Sequence, residues 1–176
     1  MTLPSLRETL DAHGLSAKKS FGQHFLLDLN VTRKIVRYAG PFEGRAVIEV
    51  GPGPGGLTRA LLESDAGKVV LVEKDPRFIP LLGELDDGSG RLTIVEADAL
   101  KVKEADLVEG PAHLVSNLPY NVGTPLLIKW LTGPWTPCAL TLMFQKEVAE
   151  RVVAQPGEDA YGRLAVISQA VAEARI

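Results

Sequence analysis

The chain is poor in cysteine and histidine and has no long apolar run. Cys138 is the only cysteine, so a disulfide framework is excluded. The histidines, His13, His24 and His113, lie far apart in the sequence and form no His/Cys cluster, so we expect no metal site. No run of 18 apolar residues is present, and the first residues lack the charged-then-apolar pattern of a signal peptide. We therefore expect neither a membrane-spanning helix nor a leader.

Acidic side chains slightly outnumber basic ones. The chain has 22 Asp and Glu against 19 Lys and Arg, which gives a formal net charge of -3. This balance argues against a uniformly basic, nucleic-acid-binding surface, although it leaves room for a local basic face. With 176 residues, 45% of them hydrophobic, the chain has the size of one domain and enough apolar residues for a core.

Apolar runs alternate with segments of helical spacing. The runs predict strands at 46–50, 69–73, 92–96, 113–116 and 138–144. The helical segments are 5–13, 30–39, 56–64, 75–86, 124–131, 146–154 and 162–171. Ser5 with Glu8 resembles a capping box, and Asp75 and Thr124 each precede a proline, which predicts that they cap helices. This alternation predicts an α/β fold with a doubly wound, mostly parallel sheet.

The fourth predicted strand runs directly into Asn117-Leu118-Pro119-Tyr120. Proline cannot continue the ladder, so the chain must turn and leave an amide and an aromatic ring at the carboxyl end of the strand. In open α/β sheets, ligands bind at that edge. An amide oxygen accepts a hydrogen bond from an exocyclic amine, and an aromatic ring stacks on a base. The pair predicts an enzyme that alkylates the amino group of a nucleobase, although an ordinary strand exit would show the same residues.

A glycine-rich loop follows the first predicted strand. Its glycines match the dinucleotide pattern G-x-G-x-x-G at Gly51, Gly53 and Gly56. However, Pro52 and Pro54 have no N–H with which to bind a pyrophosphate, and the carboxylate of Glu49 would repel one. These features disfavour a nicotinamide dehydrogenase. They favour a ligand that carries positive charge and no phosphate, such as S-adenosylmethionine.

Acids also follow the second and third predicted strands. Glu73 stands where an acid accepts hydrogen bonds from ribose hydroxyls. Asp98 stands where a carboxylate can accept from the adenine amine of the cofactor. Taken singly, each could instead be a surface or turn residue. Because the carboxyl ends of parallel strands meet at one edge, we expect Glu73, Asp98 and Asn117 to converge on one crevice.

Several segments of the chain occur together in a characteristic order. They are 21–26, 49–58, Glu73, Asp98, 117–120, 145–151 and 161–164. Together they resemble the ribosomal RNA adenine N6-dimethyltransferases, and within that family the small-subunit enzymes most closely. The resemblance covers nearly the whole chain. The family often has Asn at the position of His24, and either side chain could contact a cofactor.

The resemblance implies a Rossmann-like, S-adenosylmethionine-dependent methyltransferase fold and a role for each matching residue. The cofactor-binding residues would be Gln23, His24, Leu26, Gly51, Glu73, Asp98 and Asn117. The first three would cover the methionine end of the cofactor, and Gly51 would approach its backbone. The catalytic residues would be Asn117, Leu118, Pro119 and Tyr120, of which Asn117 would hold the target amine.

The resemblance also implies a substrate and a partner. The substrate would be two adjacent adenosines in a hairpin loop near the 3′ end of small-subunit ribosomal RNA, and the partner a 30S-type particle. We expect a cytoplasmic monomer that takes part in ribosome biogenesis. Candidate phosphate contacts are Lys18, Lys19, Arg33, Lys34, Arg37, Lys146, Arg151 and Arg163. The family has two further strands and a helical C-terminal domain, so we expect residues 1–176 to form an N-terminal catalytic domain without them.

Two other functions stay open at this point. A large-subunit ribosomal RNA adenine N6-methyltransferase of the antibiotic-resistance type would share the main motifs, although 145–151 and 161–164 resemble the small-subunit enzymes more closely. A non-catalytic ribosome assembly factor could keep the same fold. The intact Asn117-Leu118-Pro119-Tyr120 sequence, with Glu73 and Asp98, argues against lost catalysis.

Overall fold

The computed structural model describes residues 4–15 and 26–176, and these contain a five-stranded parallel sheet. The strands are β1 (Ala46–Val50), β2 (Lys68–Glu73), β3 (Leu92–Glu96), β4 (Ala112–Asn117) and β5 (Ala139–Met143). Their order in the sheet is β3-β2-β1-β4-β5, and every neighbouring pair is parallel. The predicted α/β fold with a doubly wound parallel sheet is confirmed.

Helices lie before β1, between successive strands and after β5, and they cover both faces of the sheet. They are α1 (Leu6–Ala12), α2 (Leu29–Ala39), α3 (Gly56–Leu62), α4 (Ile79–Gly83), α5 (Gly123–Thr132), α6 (Lys146–Val153) and α7 (Arg163–Val171), with a 3₁₀ helix at Glu104–Asp106. The predicted capping box is present, because Ser5 Oγ accepts the N–H of Glu8 and the Glu8 carboxylate accepts the N–H of Ser5. Within the described ranges, no helix is both long and apolar enough to cross a membrane.

Successive residues of each strand point to opposite sides of the sheet, and apolar side chains pack against both faces. On one side, Val47, Val69 and Leu71 belong to a core cluster that also contains side chains from α1 to α4. On the other side, Ile48 and Val70 pack in a second cluster with α5 and the segment before β4. The two clusters fix the strands relative to one another. The carboxyl ends of the strands form one edge of the sheet, and the predicted residues that follow the strands lie at this edge.

The helix predicted at 75–86 is much shorter than expected, since only α4 forms. The residues after Asp75 make tight i to i+3 turns instead of helical bonds: the Phe78 N–H donates to Asp75 O (3.1 Å) and the Ile79 N–H to Pro76 O (3.3 Å). The prediction that Asp75 caps a helix is therefore wrong. Its side chain caps a turn, where it accepts the N–H of Arg77 at 3.0 Å.

The predicted cap at Thr124 is also wrong, because α5 begins one residue earlier. Val122 occupies the position before the helix and makes no side-chain cap. The N–H groups of Val122 and Gly123 both donate to the carbonyl of Pro119, at 3.3 and 3.2 Å. The turn after β4 therefore runs straight into α5, and the helix is continuous with the predicted catalytic motif.

Strands β1 and β4 part before their carboxyl ends. Their paired register runs from Ala46 opposite Ala112 to Ile48 opposite Leu114 and stops there. Beyond it, the N–H of Val50 donates to the Ser116 side-chain oxygen at 2.8 Å. A side chain thus replaces the backbone partner and opens a crevice between the two strands. This is the position at which the strand order reverses, where doubly wound folds bind ligands.

Candidate active site

A cavity lies in this crevice, at the carboxyl ends of β1, β4 and β5. The sequence-predicted residues that line it are Leu26, Gly51, Asn117, Leu118, Pro119 and Tyr120. Glu49 and Gln145 contribute to the same lining. The structure therefore brings together the segment before α2, the glycine loop and the exit of β4. Gln23 and His24 lie outside the described residues, so their assignment stays a prediction.

The glycine loop is tightly curved and closely packed. Gly51, Gly53 and Gly55 all have positive φ, of 66°, 54° and 87°, a region that side chains other than glycine rarely adopt. At Gly56, a Cβ would collide with the carbonyl oxygen of Leu26. The last glycine thus lets the chain before α2 lie directly against the start of α3, which places Leu26 at the cavity.

The Glu73 side chain stabilises this loop by hydrogen bonding. One of its carboxylate oxygens accepts the N–H of Gly53 at 3.0 Å, and the other accepts the N–H of Asp75 at 2.8 Å. Burial raises the pKa of Glu73, while the hydrogen bonds from Asp75 and Gly53 act in the opposite direction. In the described chain, Glu73 is not part of the cavity lining. Its observed contacts hold the loop, and its predicted ribose contact stays a prediction.

Asp98 lies at the end of the neighbouring strand. The N–H of Ala97 donates to the carbonyl of Glu73 at 2.9 Å, which sets the two acids side by side. The Lys74 ammonium lies 2.9 Å from Asp98 Oδ2 and lowers the pKa of that carboxyl, an effect to which the N–H of Leu100 adds. Lys74 is 75% exposed, so this surface pair is weak enough for a ligand to displace the ammonium. Asp98 also lies outside the cavity lining among the described residues.

Glu49 is the acid at the base of the cavity, and its charge differs from expectation. Its side chain is 2% exposed, and one carboxyl oxygen accepts a hydrogen bond from Thr58 Oγ1 at 2.7 Å. Burial raises the pKa of Glu49 to about 8, against the lowering effect of the Thr58 hydrogen bond, and the negative charge of Glu73 adds to the rise. The expected carboxylate is therefore largely protonated at neutral pH. A protonated Glu49 would not repel a phosphate.

The sequence reasoning missed Thr58 and Ser116, both of them fully buried. Thr58 donates to Glu49, and Ser116 separates β1 from β4 at the crevice. Thr58 carried a weak signal, because a polar residue in the first turn of α3 faces the strand end that it follows. Ser116 carried none, since a serine in an apolar strand reads as a tolerated core residue.

The predicted catalytic motif forms a turn on the wall of the cavity. Asn117 is the last residue of β4, and Leu118 is buried and donates its N–H to the carbonyl of Met143 at 3.4 Å. The Tyr120 side chain is 55% exposed. An amide therefore lies inside the cavity and an aromatic ring at its mouth, which suits a flat base that enters from solvent. The described residues contain no group of three or more metal-ligating side chains.

Comparison with known proteins gives one consistent family. The family described as "Ribosomal RNA adenine dimethylase" matches residues 14–176. The chain is 73% identical over 175 residues to the Ribosomal RNA small subunit methyltransferase A of Phenylobacterium zucineum, covering 99% of this chain and 61% of that protein. It is 70% identical over 160 residues to the protein of the same name from Caulobacter vibrioides, covering 90% and 62%. The chain thus spans about three fifths of the length of these curated relatives.

Solved structures show the same fold. A dimethyladenosine transferase from Plasmodium falciparum matches with a TM-score of 0.70 and 34% identity, over 83% of this chain and 52% of that chain. The 23S rRNA methyltransferase ErmE matches with a TM-score of 0.62 and 29% identity, over 73% and 50%. The first is the nearer of the two in both measures.

Proposed function

This chain belongs to the ribosomal RNA adenine dimethylase family, and from this premise we propose that it methylates adenine N6 in small-subunit ribosomal RNA. The substrate would be the two adjacent adenosines of a hairpin loop near the 3′ end, and the product N6,N6-dimethyladenosine. S-adenosylmethionine supplies the methyl groups. Residues 1–176 form the catalytic domain in this proposal, because every cofactor and target residue named above lies within them.

The observation that carries the proposal is the placement of Asn117 and Tyr120. Both line the cavity at the parting of β1 and β4, beside the glycine loop. A base that stacks on Tyr120 would present its exocyclic amine towards Asn117 and the cavity interior. Stacking of a base on an aromatic side chain contributes about 1–3 kcal/mol. The target must leave its own stack to reach this position, as it does for other enzymes that modify bases.

The residues of the cavity suit a cationic ligand without phosphate. Pro52 and Pro54 line it and present no N–H to an anion. Glu49 is an acid that a neighbouring ammonium or sulfonium would ionise, since an opposite charge at close range lowers a carboxyl pKa. We therefore assign the methionine end of S-adenosylmethionine to Leu26, Glu49 and Gly51, with Gln23 and His24 as predicted additions.

The adenosine end belongs to the neighbouring strands in this proposal. Glu73 ends β2 and accepts the N–H of Gly53 in the glycine loop, and Asp98 lies just after β3, next to Ala97, whose N–H donates to the carbonyl of Glu73. Each carboxylate oxygen can accept more than one hydrogen bond, so Glu73 can hold the loop and still accept from a ribose hydroxyl. Asp98 would exchange the exposed Lys74 for the adenine amine.

Methyl transfer to adenine N6 requires the chain to position the amine more than to supply a strong base. The lone pair of adenine N6 is delocalised into the ring, so the amine is a weak nucleophile. Two acceptors for its two hydrogens favour a tetrahedral nitrogen with the lone pair directed at the methyl group. Asn117 Oδ1 is one acceptor. Leu118 O is the better candidate for the second, because Pro119 O already accepts the N–H groups of Val122 and Gly123. The methylated nitrogen then loses its proton to water.

The RNA partner requires basic contacts outside the cavity. Arg33 is held by Glu63 at 2.7 Å and Lys146 by Glu150 at 3.5 Å, so these two are partly neutralised. Lys34 lies over the ring of Tyr38, 5.8 Å from its centroid, on the exposed side of α2. Lys34 is therefore a stronger candidate for a phosphate contact than Arg33 or Lys146. A 30S-type particle as partner implies a cytoplasmic protein, and the expected monomer is tested by its mass in solution.

Transfer of tritiated methyl groups to undermethylated small subunits tests the proposal. We expect transfer to the small subunit, mapped to adjacent adenosines, and none to the large subunit. The Asn117→Ala variant serves as the control, because it should bind subunits and lose transfer. Preferential labelling of large subunits would establish the second enzyme class, to which the likeness to the 23S rRNA methyltransferase ErmE points. Subunit binding without transfer by the unmodified chain would favour an assembly factor.

A further inference from the structure

A cluster of charged and polar groups joins the segment after β3 to α5, on the face of the sheet opposite α1 to α4. The ammonium of Lys129 donates to the carbonyls of Ala99 (2.8 Å) and Val102 (2.6 Å) and to Glu104 Oε1 (2.6 Å). The indole N–H of Trp130 donates to the same oxygen of Glu104 at 2.8 Å. The side chain of Glu104 is 7% exposed and that of Lys129 is 24% exposed. One ammonium thus uses three hydrogens on three acceptors.

Two of these acceptors belong to the turn that carries Asp98. The carbonyl of Asp98 accepts the N–H groups of Lys101 (2.8 Å) and Val102 (3.2 Å), and its side chain accepts the N–H of Leu100 at 3.1 Å. The turn is therefore wound around Asp98. The Lys129 ammonium binds this turn through two carbonyls, that of Ala99 next to Asp98 and that of Val102 at the end of the turn.

The same helix begins at the catalytic motif. α5 follows directly on the turn at Pro119, and Lys129 lies six residues after its first residue, Gly123. At 1.5 Å per residue, this is a rigid spacer of about 9 Å. The turn around Asp98 and the turn around Asn117 are thus fixed to opposite ends of one helical segment.

A stabilising role alone accounts poorly for this arrangement. A buried ion pair contributes little net stability, because removing two charges from water costs about as much as their attraction returns. Its distinctive effect is geometric, since three short hydrogen bonds allow the turn one position relative to α5. A neutral apolar side chain at residue 129 would fill the space and leave the turn free to shift.

We propose that Lys129 is a positioning residue for the adenosine half of the cofactor, holding the Asp98 turn at a fixed distance from Asn117. This inference rests on the proposed function, because it assumes that Asp98 receives an adenine. Lys129 touches neither ligand nor target base in this scheme. It acts on the Asp98 turn through its hydrogen bonds to the backbone of residues 99 and 102 and to the Glu104 side chain.

The test compares Lys129→Met with Lys103→Met by calorimetry. Methionine keeps the length and the apolar stem, and Lys103 is an exposed lysine of the same segment. The probes are S-adenosylhomocysteine and 5′-methylthioadenosine, which share the adenosine half and differ in the amino-acid half. We expect Lys129→Met to weaken both probes by the same factor, roughly tenfold from the coupling energies of contacting residues. Lys103→Met should bind both as the unmodified chain does.

A double variant separates positioning from general structural damage. If Lys129 acts through Asp98, the Asp98→Ala, Lys129→Met chain binds no more weakly than Asp98→Ala alone. The proposal is wrong if the affinity losses of the two single variants multiply in the double variant. It is also wrong if Lys129→Met binds both probes as the unmodified chain does. If Lys129→Met does not fold, Lys129→Arg replaces it, because a planar guanidinium keeps the charge but cannot place one nitrogen among three acceptors. Unchanged binding by that variant overturns the proposal equally. If the unmodified chain binds neither probe, the proposed function itself is wrong.

Discussion

Without ligand, the Glu49→Gln variant should be more stable than the unmodified chain, and this difference in the free energy of unfolding should grow as the pH rises. The folded-state pKa of Glu49 is about 8, against 4.5 for an ordinary glutamate. Between these values, the folded chain holds a proton that the unfolded chain has already released. The free energy of unfolding therefore falls as the pH rises through this window. Glutamine has the shape of protonated glutamate and can accept the hydrogen bond from Thr58, but it does not titrate.

The size of the effect follows from the width of the window. One pKa unit corresponds to about 1.4 kcal/mol, so the destabilisation by Glu49 grows to about 3 kcal/mol at pH 7 relative to pH below 4. Because the carboxyl is buried, solvent screens this effect only weakly. Glu73 lies close enough to share in the effect, so removing the charge at residue 49 also relieves Glu73.

Urea unfolding followed by circular dichroism, at several pH values between 5 and 8 and without ligand, measures this difference. We expect the free energy of unfolding of Glu49→Gln to gain about 3 kcal/mol over the unmodified chain between pH 5 and pH 8. Glu96→Gln is the matched control, because Glu96 also ends a strand but is exposed. If both variants keep the pH dependence of the unmodified chain, Glu49 is ionised when folded and the account of its burial is wrong.

Three further predictions concern the target site and the opposite end of the sheet. Asn117→Ala should lower single-turnover methyl transfer about 10²–10³-fold, the usual effect of losing one transition-state hydrogen bond, and should lower cofactor affinity, measured by calorimetry, far less; a loss of transfer below threefold would remove Asn117 from catalysis. Tyr120→Ala should weaken filter binding of undermethylated subunits by about 1–3 kcal/mol while Tyr120→Phe should not, because stacking needs only the ring. Burial lowers the pKa of His113, helped by Arg45, so the chain should lose stability as the pH falls below about 6.5, and a His113→Phe chain measured by urea unfolding should lose less.

The sheet was predictable because its strands are buried on both faces. Such strands appear as short apolar runs ended by glycine, proline or an acid, and the predicted segment 46–50 coincides with β1 while 92–96 coincides with β3. The site followed from the sheet, because residues just after parallel strands must meet at one edge. Asn117 to Tyr120 could therefore be placed beside the glycine loop from sequence alone, whereas Glu73 and Asp98, expected in the same crevice, lie outside the cavity lining of the described residues.

Helix starts were less predictable because they depend on competing local hydrogen bonds. Asp75 before a proline satisfies the sequence pattern of a helix cap, yet its carbonyl and side chain close tight turns instead. The contacts of Lys129 were not predictable either. Its acceptors lie 25 to 30 residues away in the sequence, so no local pattern marks a lysine of α5 as buried.

Glu49 lies at the ligand cavity, as the sequence predicted, but its predicted charge at neutral pH was wrong. The predicted preference for a cationic ligand nevertheless follows from its chemistry. At pH 7 and a pKa of about 8, removing the proton from Glu49 in the folded chain costs only about 1 kcal/mol. A hydrogen bond between an ammonium and a carboxylate contributes about 1.5–3 kcal/mol, so a cationic ligand can ionise Glu49 with a net gain. A phosphate could accept only the single O–H of the protonated acid, and Pro52 and Pro54 offer it no N–H. The preference for a cationic ligand therefore arises when the ligand binds, and calorimetry in buffers of different ionisation enthalpy should detect the proton that leaves Glu49.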